Sequence, residues 1–227
     1  MSAEPDVLAV PQSRAGSGML ALTLYCVAHF FVDMYSGAMG AFQPILVEKL
    51  NFSLAEAGIL GGIIVFSGSF VQPLYGYLSD RFHSRMFSVL APLVAGIFIS
   101  CLGFVPNFPI AALLIFVGGA GIASFHPQAS ARATLGIESN RGRWMAVYIS
   151  AGSLGLAAGP SFFTSITQGV GLSKSWIAAI PGVLMTAVMI AFLRAPNKPE
   201  PHAYQKFDFA PLAAAKGPLT LLALLVL

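Results

Sequence analysis

A short polar stretch between two long apolar runs decides the fold, and its sequence is GYLSDRFHSR, residues 76–85. It carries the charged residues Asp80, Arg81 and Arg85, although the whole chain holds only 12 basic and 9 acidic side chains in 227 residues. Gly76 lies one helical turn before Asp80, where the lack of a side chain lets another helix backbone approach closely. The stretch therefore predicts a charged hairpin that joins two membrane-spanning helices.

The composition of the chain indicates an integral membrane protein. Hydrophobic residues make up 56% of it and charged residues 9%, with a mean hydropathy of +0.78. A soluble domain carries about 25% charged residues. The sequence pI near 9.0 fits basic cytoplasmic loops, so no nucleic-acid partner is expected. Cys26 and Cys101 lie inside apolar runs and are predicted to be small core residues, so neither a metal site nor a cofactor is expected.

Six apolar runs are long enough to cross a bilayer, which takes about 20 helical residues. They are predicted over residues 19–46, 54–78, 86–105, 109–127, 145–167 and 176–193. The predicted organisation is a cytoplasmic tail over 1–18, a six-span bundle over 19–193, a cytoplasmic linker over 194–218 and the start of a truncated seventh span over 219–227.

The distribution of basic residues orients this bundle. With the N-terminus inside, ten Lys and Arg residues fall in cytoplasmic segments, and only Lys49 and Lys174 fall in outer loops. Cytoplasmic loops of membrane proteins carry such an excess of basic residues. We therefore expect the N-terminus and the hairpin 76–85 to lie on the cytoplasmic side.

Span one is the most polar of the six. At 100° per residue, one stripe about 80° wide holds the polar and small residues Tyr25, His29, Asp33, Ser36, Gly40 and Gln43. Lipid cannot satisfy such a stripe, so it should face the bundle interior or a water-filled cavity. Asp33 is the only acidic residue well inside a predicted span, and His29 precedes it by four residues, so their side chains can meet.

Span four ends in Phe125-His126-Pro127. His126 is either a second polar group of the cavity or a satisfied imidazole at a proline kink. At about 1.5 Å per residue, Asp33 lies near the middle of the membrane and His126 nearer the cytoplasmic face. Direct contact between Asp33 and His126 is therefore not expected.

Small residues and a proline predict further features of the helices. Gly58 and Gly62 in span two predict a close helix contact, and Ala151, Gly155 and Gly159 in span five predict another. Span two should begin with a capping box over residues 53–56 and kink at Gln72-Pro73.

The hairpin 76–85 resembles the signature loop between spans two and three of the major facilitator superfamily. The matching positions are Gly76, Leu78, Asp80, Arg81 and Arg85. His83 stands where a Gly is usual, and Ser84 stands where a basic residue is usual. The resemblance implies an all-α membrane fold whose N-terminal bundle consists of two inverted three-helix repeats, with the hairpin acting as a gate.

Several stretches together resemble the fosmidomycin-resistance branch of that superfamily. They are AHFFVDMY at 28–35, Phe125-His126-Pro127 with Arg132, and Gly159-Pro160. Members of the branch are exporters of about 400 residues with twelve spans, so the resemblance implies that this chain is the N-terminal half and the start of the second.

A motif in span five adds to the resemblance. Gly155, Gly159 and Pro160 match the span-five signature of proton-driven exporters, but Phe163 and Thr164 replace the two glycines that usually follow. The arginine that many proton exporters carry in span four is also absent.

The resemblance implies a multi-pass transporter of the cell membrane that works by alternating access between two six-span halves. We expect proton-coupled export of a drug or small organic compound. His29, Asp33, Gln43 and His126 would form the substrate and proton-coupling site. The expected partners are protons, a small-molecule substrate, the lipid bilayer and the C-terminal half.

Three alternatives remain open. One is proton-coupled uptake of a metabolite, because the residues do not fix the direction of transport. Another is a membrane enzyme that uses Asp33 and His29 as acid and base, although the sequence shows no nucleophile or metal-ligand cluster beside them. The last is a non-transporting fragment, or a half that pairs with itself.

Overall fold

The computed structural model describes residues 15–82 and 84–193, together with Gly217. Within these residues the secondary structure is helical, and no strand is present. The α-helices are α1 Ala15–Ser36, α2 Met39–Leu50, α3 Leu54–Val65, α4 Gln72–Phe82, α5 Met86–Ser100, α6 Phe108–Arg132, α7 Arg141–Gly169 and α8 Ile180–Phe192. A π-helical segment covers Phe66–Phe70, and 3-10 helices cover Cys101–Phe104 and Leu172–Ala179. The predicted linker, the predicted seventh span and most of the predicted tail lie outside the described residues.

The helices join into six segments that are long and apolar enough to cross a membrane, counted over the described residues. Spans one to six are Gly18–Leu50, Leu54–Phe82, Met86–Phe104, Phe108–Arg132, Arg141–Gly169 and Leu172–Phe192. This confirms the predicted all-α membrane bundle. Most spans are longer than predicted because the helices continue into their polar flanks.

Span one is broken near its middle by a turn at Gly37 and Ala38, which separates α1 from α2. The prediction of one continuous polar stripe is therefore wrong. Pro44 lies inside α2 and has no N–H to donate to the carbonyl of Gly40, so the hydrogen bonding of a regular helix is lost just after the turn. As a result, Gln43 belongs to a different helix from the polar residues of α1.

Span two begins as predicted, and its helix becomes irregular slightly before the kink predicted at Gln72-Pro73. Ser53 and Glu56 form the capping box, with the Ser53 N–H donating to Glu56 Oε2 at 2.8 Å. The irregular part is the π-helical segment Phe66–Phe70, which comes just before Pro73. A proline removes a donor for the preceding turn, and the Gln72 side chain compensates by donating Nε2 to the Gly68 carbonyl at 2.9 Å.

Span five packs directly on span one, which confirms the close helix contact predicted from the span-five glycines and shows which span is the partner. A Cβ added to Gly155 would collide with the Phe30 carbonyl oxygen, and one added to Gly159 would collide with the Met34 carbonyl oxygen. The two backbones are therefore in contact. Such an approach is open only to residues without a side chain.

The predicted close contact at Gly58 and Gly62 is wrong for this bundle. A Cβ added at either position would meet nothing within 4 Å among the described residues. Neighbouring side chains of span two, such as Ile59 and Val65, are also exposed. The glycine spacing alone did not show which face of span two is turned away from the bundle.

Tyr35 fixes span six against span one. Its hydroxyl donates to the Ala178 carbonyl at 2.8 Å and accepts from the Gly182 N–H at 2.9 Å. The Tyr35 side chain is completely buried. These bonds tie span one to span six, while the Tyr35 ring packs edge-on against Phe163 of span five.

Candidate functional site

Asp33 lies between two histidines. The Nε2 atom of His29 is 3.2 Å from Asp33 Oδ2, and the Nε2 atom of His126 is 3.4 Å from Asp33 Oδ1. The His29 contact follows from their spacing of four residues on α1, as predicted, whereas His126 comes from span four. Each carboxylate oxygen thus faces one imidazole. The Asp33 side chain is 18% exposed, so it keeps some access to solvent.

The expectation that Asp33 and His126 do not meet is wrong. It came from counting residues from the helix ends, which gives depth only if both ends lie at the same plane of the membrane. Span four runs on to Arg132, five residues past its predicted end, and Gly18 at the start of span one lies against Gly136, which follows span four. The two side chains therefore reach one another at the same level of the bundle.

His29 is held on its other side by span five. Its Nδ1 lies 2.9 Å from the backbone carbonyl oxygen of Tyr148, and its ring stacks on the Tyr148 ring with centroids 4.3 Å apart. A carbonyl oxygen only accepts, so Nδ1 carries the proton of this bond. Nε2 of a neutral His29 then has a lone pair toward Asp33. The 3.2 Å approach of Nε2 to Oδ2 is a hydrogen bond only when one further proton is shared between these two atoms.

A cavity of about 450 Å³ opens beside the two histidines. Its lining includes several polar side chains and comes from spans one, two, four and five: His29, Ser69, Gln72, Pro73, Gly76, His126, Pro127, Ser130 and Tyr148. Gly76 of the hairpin faces Pro127, and a Cβ added to Gly76 would lie 3.6 Å from the Pro127 Cβ. The cavity therefore connects the histidines with the first residue of the charged hairpin.

Gln43 does not join this group. It lines a separate cavity of about 620 Å³ between α2 and α3, and its Nε2 donates to the Ala57 carbonyl at 3.1 Å. The break at Gly37 separates this part of span one from Asp33. The structure thus brings together His29, Asp33 and His126 of the predicted site and places Gln43 elsewhere.

The hairpin charges lie at the end of α4 and the start of α5. Arg81 Nη1 donates to the Tyr77 hydroxyl at 3.4 Å, and Arg85 Nη2 donates to the Ile190 carbonyl of span six at 3.3 Å. Asp80 is exposed and lines a cavity of about 480 Å³ together with Arg132. Among the described residues Asp80 forms no salt bridge.

Six apolar spans and a charged hairpin between spans two and three agree with a family comparison. A family model described as Major Facilitator Superfamily matches residues 24–227. The chain belongs to the Major Facilitator Superfamily. This is a family of membrane transporters rather than enzymes, which sets aside the reading of Asp33 and His29 as a catalytic acid and base.

A curated relative in the superfamily is the uncharacterized MFS-type transporter YfnC of Bacillus subtilis (strain 168). It is 26% identical over 173 residues, which cover 76% of this chain and 41% of the relative. The chain therefore matches about two fifths of the length of that transporter. No solved structure matches the chain.

Gly152 of span five was not among the residues that the sequence indicated. A Cβ added there would come within 2.5 Å of Asp33 Oδ2 and even closer to His29 Nε2. Gly152 thus leaves the space that the His29 and Asp33 side chains occupy. The sequence feature that could have identified Gly152 is its position one helical turn before Gly155, in the same glycine-rich segment.

Gln128 was also missed, and it ties the superfamily hairpin to span four. Its Oε1 accepts from the Ser88 N–H at 3.0 Å and from the Ser88 hydroxyl at 2.6 Å, while its Nε2 donates to the Ser79 hydroxyl at 2.6 Å and to the Ser84 carbonyl. The side chain is 3% exposed. The only sequence signal was a glutamine two residues after His126.

Proposed function

We propose that this chain forms the N-terminal six-span half of a proton-coupled transporter for a small organic compound. A second six-span half of the same protein completes the cavity, and the two halves expose it alternately to each side of the cell membrane. The resemblance of residues 28–35 and 125–127 to the fosmidomycin-resistance branch supports export as the direction.

The observation that carries the proposal is the position of Asp33 between His29 and His126 beside a cavity. With the Nδ1 of His29 donating to a carbonyl, the contact between Nε2 and Asp33 Oδ2 holds one exchangeable proton. A second imidazole on Oδ1 provides a neighbouring place for that proton. Ionisable groups inside membrane spans are costly and mark proton relays in transporters.

The proton changes the net charge of this cluster by one. When the cavity faces one side, water reaches the histidines and the cluster loads a proton. When the cavity faces the other side, the proton leaves. Substrate binding in the same cavity couples proton uptake to proton release. The protein changes the side to which the cavity opens only with certain combinations of proton and substrate bound.

The hairpin supports this cycle as a gate. Gly76 lies on the cavity, and Gln128 joins the Ser79 and Ser84 positions to span four, two residues from His126. A change of packing around His126 would therefore shift the position of the charged hairpin through Gln128. We propose that Asp80 and Arg81 form contacts with the second half that break and reform in each cycle.

The test is substrate flux in vesicles that contain the complete transporter, with and without an imposed pH gradient. Asp33→Asn resembles a permanently protonated carboxyl in shape and charge, so it should insert normally, lose proton-driven flux and keep substrate exchange. His29→Ala should shift the pH optimum of transport. The direction of the pH gradient that drives accumulation separates export from uptake.

Wild-type proton-driven flux from Asp33→Asn at normal expression would overturn the proposal. In that case Asp33 is a structural residue, and the coupling group lies outside the residues described here.

A further inference from the structure

We propose that His29, Asp33 and His126 bind a divalent transition-metal ion such as Zn²⁺. The proposal concerns the same residues as the proton-coupling site, but binding of the ion needs neither a proton gradient nor transport. The three side chains offer two imidazole nitrogens and one carboxylate, and their ligand atoms all lie within 4.8 Å of one another.

Two of the three distances in the cluster fit a small tetrahedral ion, and the third pair of ligand atoms lies within 4.8 Å. Zinc bonds to nitrogen and oxygen are about 2.0–2.1 Å long, so two ligand atoms of a tetrahedral zinc lie about 3.3 Å apart. The His29–Asp33 and His126–Asp33 distances are 3.2 Å and 3.4 Å. Binding requires side-chain rotations that draw the imidazole nitrogens and the carboxylate, now within 4.8 Å of one another, around a common centre.

His29 is already oriented as a metal ligand. Its Nδ1 donates to the Tyr148 carbonyl oxygen at 2.9 Å, which leaves the Nε2 lone pair pointing to Asp33. Histidines that bind metals usually donate their other ring N–H to a carbonyl or carboxylate in this way, which fixes both tautomer and ring angle. The stacking of His29 on the Tyr148 ring fixes the ring further.

The neighbouring cavity supplies access and the remaining ligands. His29 and His126 both line the 450 Å³ cavity, and the His126 side chain is 23% exposed. Zinc sites that keep a position open for water or substrate likewise have three protein ligands. An ion can therefore enter from the cavity, and water can complete its coordination.

The charge of the cluster also favours such an ion. Asp33 supplies one negative charge, and among the described residues its only salt-bridge partners are His29 and His126. No Lys or Arg there competes with a bound cation. Imidazole ligands suit zinc, copper and nickel, whereas calcium and magnesium require mostly oxygen ligands. The site therefore selects a transition metal.

The test is Zn²⁺ binding to the purified protein in detergent, measured by calorimetry and by competition with a chromophoric chelator. Purification uses a tag without histidine. The reference protein carries His83→Asn and His202→Asn, because these are the other two histidines of the sequence. We expect this reference to bind one Zn²⁺ ion. Adding Asp33→Asn, His29→Asn or His126→Asn should lower the Zn²⁺ affinity at least tenfold.

Co²⁺ provides a second readout that does not depend on affinity alone. Bound Co²⁺ should give visible ligand-field bands without a thiolate charge-transfer band, because the ligands are nitrogen and oxygen rather than Cys26. His126→Asn should abolish these bands while the protein stays monodisperse in size-exclusion chromatography.

Unchanged Zn²⁺ affinity in both Asp33→Asn and His126→Asn, or no binding to the reference protein, would overturn the metal site. The outcome is separable from that of the transport test. If Zn²⁺ fails to bind but Asp33→Asn still abolishes proton-driven flux, only the metal proposal falls. If Zn²⁺ binds as expected but Asp33→Asn transports normally, the metal site stands and the proton-coupling proposal falls.

Discussion

Gly152 lies against the carboxylate of Asp33: a Cβ built on Gly152 would come within 2.5 Å of Oδ2. Span five approaches span one so closely because this residue, like Gly155 and Gly159, has no side chain. The same helix also supplies the Tyr148 carbonyl that holds His29. Span five therefore shapes the site without contributing a charged group to it.

This relationship predicts that Gly152→Ala disrupts the site. The added methyl group must push the His29 and Asp33 side chains aside or separate the two spans, and such overpacking costs about 1–3 kcal/mol. We expect proton-driven flux to fall at least about tenfold, equivalent to about 1.4 kcal/mol in the barrier.

Gly142→Ala is the matched control on the same helix, since a Cβ there meets nothing within 4 Å. Its flux should equal that of the wild type. Equal flux from both variants in the vesicle assay would show that span five has room to move away and that Gly152 does not position the cluster.

A second prediction concerns the bonds of Gln128. Gln128→Leu removes the partners of the Ser79 hydroxyl, the Ser84 carbonyl and the Ser88 N–H. Each buried polar group left unpaired costs about 1–3 kcal/mol. The thermal unfolding midpoint in detergent should therefore drop by several degrees.

A thiol-reactive dye that labels Cys26 and Cys101 as the spans unfold measures this midpoint, because both cysteines are partly buried free thiols. Ser153→Ala is the control. Its side chain is exposed, and among the residues that the structure describes its hydroxyl bonds only to the Ile149 carbonyl on its own helix. If the Gln128→Leu midpoint matched that of Ser153→Ala, the hairpin would be held to span four by other contacts.

A third prediction concerns orientation in the membrane. The ten-to-two bias of basic residues predicts that Ser84 and Ser139 lie in the cytoplasm and Ser173 outside. In a background without Cys26 and Cys101, a membrane-impermeant thiol reagent added to intact cells should label Ser173→Cys and leave Ser84→Cys and Ser139→Cys unlabelled. Labelling of Ser84→Cys at the rate of Ser173→Cys would reverse the topology.

Some features followed from the sequence because they depend on residues close together in the chain. The six spans follow from continuous apolar runs, and the capping box of Ser53 and Glu56 needs only three residues of spacing. The His29–Asp33 contact needs only one helical turn. The hairpin 76–85 was identified by the order of its own residues.

Other features were decided by how distant helices pack. The contact of Asp33 with His126 depends on how far spans one and four extend, and the clearance at Gly152 depends on the approach of span five. The four hydrogen bonds of Gln128 join three spans. A membrane helix is apolar on nearly every face, so the pattern of apolar residues along the sequence cannot show which face meets which neighbour. That choice comes from close packing of small residues and from satisfying polar groups away from lipid, and both exist only in the assembled bundle.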